Sequence, residues 1–165
     1  MNKDTFWSII KDARTPDADC DEIVSGITDR LRLMPPEEIR AFYDHIQERR
    51  AESYRWDIWA VAYIINGGCS DDGFEYFRGW LITQGRDYFE AAMAQAERAA
   101  DKTDPGRDDY ECEDILRVGL DLYEELTGQP MPDSQVAFPS EPIGTPWEED
   151  SLEKLYPELC KRYYT

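Results

Sequence analysis

The chain has 165 residues, 41% of them hydrophobic and 13% aromatic, which is enough apolar surface for one packed domain and too much for a disordered polymer. Its 36 acids against 18 bases give a net charge of −18, a field that repels nucleic-acid backbones and anionic lipid and either simply keeps a small domain in solution or suits a basic protein partner or a cationic ligand. The excess is uneven, with 20 acids and 13 bases in residues 1–103 but 16 and 5 in residues 104–165.

Asp4 and Thr5 are placed to cap a first short helix with Phe6, Trp7, Ile9 and Ile10 on its apolar side, broken by Thr15-Pro16-Asp17. Ile23, Ile27, Leu31 and Met34, spaced 4, 4 and 3 apart, predict a second helix over about 21–34 that buries one face. Met34-Pro35-Pro36 ends it, because a residue before proline is driven out of the α region. Pro36, Glu37 and Glu38 then suit the first turn of a third helix whose inner face is Ile39, Phe42, Tyr43 and Ile46. The tail of that helix, residues 47–53, is polar and reads as exposed.

From Trp56 to Ile65 almost every position is apolar, the pattern of a helix buried all round, with Arg55 and Asp57 as the exceptions near its start. Asn66-Gly67-Gly68 ends it, Ser70 caps the next helix, and Asp71 and Asp72 fall in the first turn. Phe74, Phe77 and Leu81, with Trp80 alongside, form the inner face before Gly85 stops the run. Further helices are predicted over about 87–100 and 110–126, separated by the polar break 101–109. Residues 129–146 hold five of the ten prolines and form either a long ordered loop or a flexible linker. A last helix over about 149–163 turns Leu152, Leu155, Leu159 and Tyr163 inward, and Pro157 imposes a kink or a split on it. No strand pattern appears. The expected fold is therefore all-α, one domain over residues 1–165 of seven or eight helices around a central hairpin, 54–86.

The longest apolar run, Ile58–Ile65, is eight residues, far short of the ~18 that indicate a membrane span. Met1-Asn2-Lys3-Asp4 leads straight into an amphipathic pattern, so the expected location is cytoplasmic. Cys20, Cys69, Cys112 and Cys160 lie 49, 43 and 48 residues apart with no C-x-x-C pair, and there is one histidine. Ligand supply for zinc is poor, and the cysteines are expected as reduced, largely buried thiols. No metal or cofactor is expected.

Several residue groups bear on function. Asp71, Asp72 and Glu75 put three carboxylates at one helix start, as a cation site or acid/base pair would, or simply as partners of the helix dipole and of Arg78. Gly67-Gly68-Cys69-Ser70 precedes a helix, as an anion cradle would, but Asp71 and Asp72 stand where a phosphate would sit. Cys69 and His45 are candidates for a nucleophile and a base, weighed against a buried thiol and a partly exposed helix residue. Arg55, Asp57, Arg78 and Arg86 are the charges nearest the aromatic group of Trp56, Trp59, Tyr63, Phe77 and Trp80. That grouping reads either as a core with a structural ion pair, Asp57 pairing with an arginine of the next helix, or as a cleft holding a carboxylate or planar ligand. Trp147, just after Pro146, either clamps the C-terminal segment or marks a partner surface.

The stretch W-D-I-W-A-V-A-Y-I-I-N-G-G-C-S-D-D-G-F-E-Y-F-R-G-W-L-I-T-Q-G-R resembles the hallmark of the bacterial domain-of-unknown-function family 4240. The opening F-W-S-I-I, the L-M-P-P-E-E-I turn, Y-E-C-E-D, Y-E-E-L-T-G and G-T-P-W-E-E-D are similar to it as well. The resemblance implies a small bacterial cytoplasmic domain centred on this motif, and it implies no activity and no catalytic residue. The leading expectation is a non-enzymatic acidic binding or regulatory module that engages a basic protein partner, as an immunity protein or inhibitor would, and binds neither nucleic acid nor membrane. The alternative is a small enzyme or ligand-binding protein. Its candidate site residues are Arg55, Asp57, Trp59, Tyr63, Asn66, Asp71, Asp72, Arg78, Trp80 and Arg86.

Overall fold

Asn2, two residues before the expected cap, starts the first helix by accepting the Thr5 amide at 2.8 Å. The computed structural model describes residues 1–164, and the elements among them are helical, with no named strand. They are α1 (Lys3–Ala13), α2 (Cys20–Arg32), α3 (Pro36–Glu52), α4 (Trp56–Ile65), α5 (Asp71–Thr83), α6 (Arg86–Ala94), α7 (Leu120–Thr127), α8 (Leu152–Leu155) and α9 (Pro157–Tyr163). Turns of 3₁₀ helix lie at Ala96–Ala100, Asp114–Arg117 and Glu149–Ser151.

The local chemistry explains most boundaries. Asp19 and Glu22 form a reciprocal capping box at the start of α2. Pro36 opens α3, and Ser70 accepts the Gly73 amide at the start of α5. Pro157 splits the last predicted helix into α8 and α9, since its ring cannot continue the α8 ladder, and Leu155 at the break is left exposed rather than turned inward.

Two predicted helices are shorter than their patterns. The span 110–126 has no regular structure over Tyr110–Glu111 and forms a 3₁₀ turn at Asp114–Arg117, and α7 starts only after Gly119. Gly119 has φ +89°, and a Cβ there would stand 3.0 Å from Ile39 Cγ2, so packing against α3 requires a left-handed glycine and interrupts the helix. The span 87–100 breaks at Gln95, which is extended, and resumes as a 3₁₀ turn.

One contiguous core draws on all nine α-helices. Phe6, Ile10, Ile27, Leu31, Phe42, Ile58, Phe77 and Phe89 are all fully or almost fully buried in it. The hairpin of α4 and α5 lies inside this core as predicted, although Trp56, Asp57, Trp59 and Tyr63 leave one edge of α4 half-exposed. The polar tail of α3 is not the exposed segment its composition suggests. Gln47, Arg49 and Ser53 are buried, with Arg49 in ion pairs with Glu48 at 3.1 Å and Glu52 at 3.2 Å while its Nη1 has no hydrogen-bond partner among the described residues.

The expectation of four reduced thiols is corrected. Cys20 and Cys112 form a disulfide across 92 residues of chain, with Cα atoms 5.5 Å apart, because α2 packs against the 3₁₀ turn at Asp114–Arg117 that follows Cys112. Cys69 and Cys160 are free.

The proline-rich segment 129–146 is an ordered strap. Ser134 donates to Asp44 at 2.6 Å, and the backbone of Ile143 exchanges two hydrogen bonds of 2.9 Å with Tyr54 and Trp56. No described helix is long and apolar enough to cross a membrane.

Candidate functional site

The tryptophans of the central motif stack into a short aromatic column. Trp56 and Trp59 lie nearly parallel with centroids 5.4 Å apart, and Trp59 stacks on Phe74 at 4.8 Å. Trp59 Nε1 donates to the Cys69 carbonyl at 3.0 Å, which ties the end of the glycine turn back to α4.

At the end of this column sits Arg78, only 3% exposed. Its guanidinium lies 4.7 Å from both the Tyr54 and the Phe74 ring centroids and donates to the Arg50 carbonyl at 2.7 Å. It thereby satisfies a carbonyl in the last turn of α3, a position that favours a cation. No carboxylate pairs with it among the described residues, and burial followed by the neighbouring Arg50 pulls its pKa down to about 10. Glu75 pairs with Arg50 rather than with Arg78, because α3 brings that cation closer than the next turn of α5 does.

Phe138 of the strap covers Arg50 at 5.5 Å and Arg78 at 5.9 Å, closing one side of a recess of about 200 Å³. Asp71 and Asp72 form its exposed rim. Below that rim the 108–114 segment adds more acid. Glu111 Oε1 lies 3.8 Å from a Cβ built on Gly73, and partial burial together with Asp108, Asp109 and Glu113 holds its carboxyl above the usual range. Burial, then Glu113, Asp72 and Glu111, pushes the Tyr76 hydroxyl upward.

Of the ten candidate residues, the structure brings Trp59, Asp71, Asp72 and Arg78 to this recess. Arg55 and Asp57 pair with each other at 2.6 Å on another face, correcting the expectation that Asp57 is held by an arginine of the next helix. The guanidinium of Arg55 also reaches the Met93 carbonyl at 2.8 Å, so it links α4 to α6. Tyr63 packs edge-on to Trp147 at 5.3 Å, and Trp147 donates to the Trp56 carbonyl at 2.7 Å; the tryptophan therefore acts as a clamp on the C-terminal segment.

Trp80 packs with Tyr88 and Tyr110 beside a separate acidic groove. Arg86 opens α6 and pairs with Asp4 and Glu90, away from the recess. Asn66 caps the end of α4 with neither its amide nitrogen nor its oxygen hydrogen-bonded.

Two catalytic candidates have other occupations. Burial, then Glu111, raises the Cys69 thiol to about 12, which leaves almost no thiolate near neutrality. His45 stacks on Phe6 at 5.1 Å and bridges Glu48 and the Met1 carbonyl, joining α3 to the N-terminus. Among the described residues no three His, Cys, Asp or Glu side chains converge as a metal site would require.

Arg50, Tyr54 and Phe138 belong to the recess but were not candidates. Arg50 lies in the polar tail of α3 and Phe138 in a segment with no periodicity, so neither carries a signal in the sequence.

No curated protein and no solved structure matches the chain. A family model does match, over residues 1–125, which takes in the central hairpin, Arg78 and the acidic 108–114 segment but stops before the strap and Trp147. On that match the chain belongs to the family described as protein of unknown function (DUF4240).

Proposed function

We propose that this protein is a non-enzymatic binding module that engages a basic protein partner through the acidic face at the start of α5. The observation that carries the reading is a set of four exposed carboxylates, Asp71, Asp72, Glu111 and Glu113, none in an ion pair among the described residues. Burial and then the neighbouring Asp108, Asp109 and Glu113 hold the Glu111 carboxyl above its usual range, and a cationic surface would relieve the repulsive part. Beside them Phe138, 43% exposed, and the half-buried Tyr54 and Trp59 offer aromatic contact area next to a charged rim.

The test is affinity capture from the source cell at physiological salt, using wild type and the quadruple variant Asp71→Asn, Asp72→Asn, Glu111→Gln, Glu113→Gln. A basic partner should be held by wild type, released by the variant and weakened by added salt. Recovery of no partner, or of the same partner by both proteins, overturns the reading.

A second reading rests on Arg78. A buried guanidinium with no carboxylate partner, at the base of an aromatic recess, fits a ligand-binding protein or small enzyme that takes one carboxylate group there. A thermal-shift series with small mono- and dicarboxylates separates the two. A dose-dependent rise in melting temperature, lost in a folded Arg78→Met variant, favours the recess, and a flat series removes it.

A further inference from the structure

A larger concavity, about 670 Å³, opens where the end of α1, the start of α6 and the segment after the Ala96 turn meet. This is the size of a small-molecule site. Its lining reverses the sign of the molecule. Five of the chain's 18 bases, Lys11, Arg14, Arg86, Arg98 and Lys102, stand there against three acids, Asp4, Asp87 and Asp101. In a chain of net charge −18 such a concentration runs against the surrounding field.

Two of the five cations are already occupied: Arg86 is held by Asp4 at 2.7 Å and Glu90 at 2.9 Å, and Arg98 by Asp101 at 2.7 Å. Lys11, Arg14 and Lys102 are in no ion pair among the described residues. Arg14 is set by its neighbour Gly85. That glycine has φ +93°, and a Cβ on it would stand 2.9 Å from Arg14 Nη1, so a side chain at 85 would displace the guanidinium from the opening of α6. Lys102 sits over the Tyr88 ring with Nζ 5.2 Å from the centroid.

The floor is aromatic. Trp7, 4% exposed, and Tyr88, 9% exposed, both line the cleft. The Tyr88 hydroxyl is locked, donating to the Ala99 carbonyl at 2.7 Å and accepting the Lys102 amide at 3.1 Å. The Trp7 Nε1 donor is buried with no hydrogen-bond partner, an uncompensated polar group on the wall of the same cleft.

We propose that this cleft binds a small phosphate-bearing anion with a flat apolar portion, of about the size of a nucleoside diphosphate. Three unpaired cations match a ligand carrying two or three negative charges, which a phosphate or diphosphate supplies in a compact group and a single carboxylate does not. The exposed edges of Trp7 and Tyr88 take the flat portion by apolar contact, Lys102 already covering the Tyr88 face. The overall negative field disfavours a polymeric nucleic acid at the same place while leaving a single enclosed ligand acceptable.

Calorimetric titration of the full chain with ADP, inorganic pyrophosphate and adenosine tests this. Wild type should bind ADP and pyrophosphate saturably and adenosine far more weakly, with affinity falling as salt rises. The double variant Lys11→Ala, Arg14→Ala should bind ADP roughly tenfold or more weakly per cation removed. Arg107→Ala, which removes an exposed base outside the cleft, should leave binding unchanged. Lys102→Ala, at another exposed side chain, should weaken ADP binding roughly tenfold and takes the place of the double variant should that protein fail to fold. Absence of saturable binding of both phosphates at millimolar concentration overturns the proposal. So does equal ADP binding by wild type and the cation variants, or binding of adenosine as tight as that of ADP. None of these outcomes depends on the four carboxylates of the acidic face.

Discussion

Gly79 of α5 lies directly beneath the carbonyl of Cys112, so close that a Cβ on it would stand 2.1 Å from that oxygen. The contact is backbone on both sides, and the Cys112 amide also donates to the Tyr76 carbonyl at 2.9 Å one turn earlier. The central motif and the Y-E-C-E-D segment are thus two halves of one joint, a glycine in the first accepting the main chain of the second.

Gly79→Ala should therefore destabilise the protein by about 2 kcal/mol or more, because neither backbone can yield without moving an element. Glycine to alanine inside a helix ordinarily gains roughly 0.5–1 kcal/mol, so the sign itself is diagnostic. Gly73→Ala, in the same helix, meets nothing nearer than Ser70 Oγ at 3.4 Å and should be neutral or stabilising. Chemical denaturation of the two variants side by side checks the pair. A stabilised Gly79→Ala protein would mean that the joint is not packed as described.

The disulfide between Cys20 and Cys112 fastens the same segment to α2. Closing a loop of 92 residues removes denatured-state entropy worth roughly 4–5 kcal/mol on a chain-entropy model. Thermal melts with and without reductant should differ accordingly. Thiol titration of the denatured, unreduced protein should find two free cysteines, Cys69 and Cys160. Four reactive thiols and identical melts would show the bond absent from the working protein.

What was legible in the sequence follows from what each feature depends on. The hairpin of α4 and α5 could be read residue by residue, because an unbroken apolar run, a Gly-Gly terminator and a serine cap are local causes. The α2 stripe of Ile23, Ile27 and Leu31 was legible for the same reason. Features created by distant packing were not. Gly119 breaks an otherwise helical pattern only because Ile39 is there, and Arg49 is buried only because both Glu48 and Glu52 turn toward it. The cationic cleft gathers Lys11, Arg14 and Lys102 from positions up to 91 residues apart, so no motif announces it. The disulfide was hidden likewise, its cysteines having no spacing signature.

Cys69 gives a prediction in pH. Its thiol rises from an ordinary 9.0 to about 12, chiefly through burial and then through Glu111. The folded state therefore holds this proton more tightly than the unfolded chain. Stability from this source is complete below pH 9 and is lost as pH climbs toward 12. Tyr88, raised from 10.0 to about 12 by burial, adds the same sign beginning one unit higher. Melting temperature should fall from pH 9 upward, and Cys69→Ala should flatten the fall between pH 9 and 10 and make it shallower above, where Tyr88 still contributes. Alkylation of native protein at pH 8 should be slow at Cys69, since such a thiol is ionised to about one part in ten thousand there. Rapid labelling would show Cys69 to be an activated thiol.

Trp147 holds the strap. Its Nε1 donates to the Trp56 carbonyl at 2.7 Å, and its ring meets Trp56 and Tyr63 edge-on at 6.2 and 5.3 Å. The Trp56 carbonyl belongs to the first turn of α4, where it is the point at which the C-terminal segment is pinned to the core. Four residues earlier, Ile143 pairs with Tyr54 and Trp56 through the backbone, so losing the indole removes the neighbour that orders that bridge. Trp147→Ala should cost about 2–3 kcal/mol, less than for a fully buried tryptophan because this one is only partly buried. It should also open residues 129–148 to protease before the rest of the chain unfolds, since local release of the strap leaves the α1–α6 core intact. Trp147→Phe keeps ring area but lacks the donor and should fall between the two. Limited proteolysis followed by mass mapping separates the outcomes. Cleavage in the strap at the wild-type rate in Trp147→Ala would show the segment to be held by Ser134 and Ile143 alone.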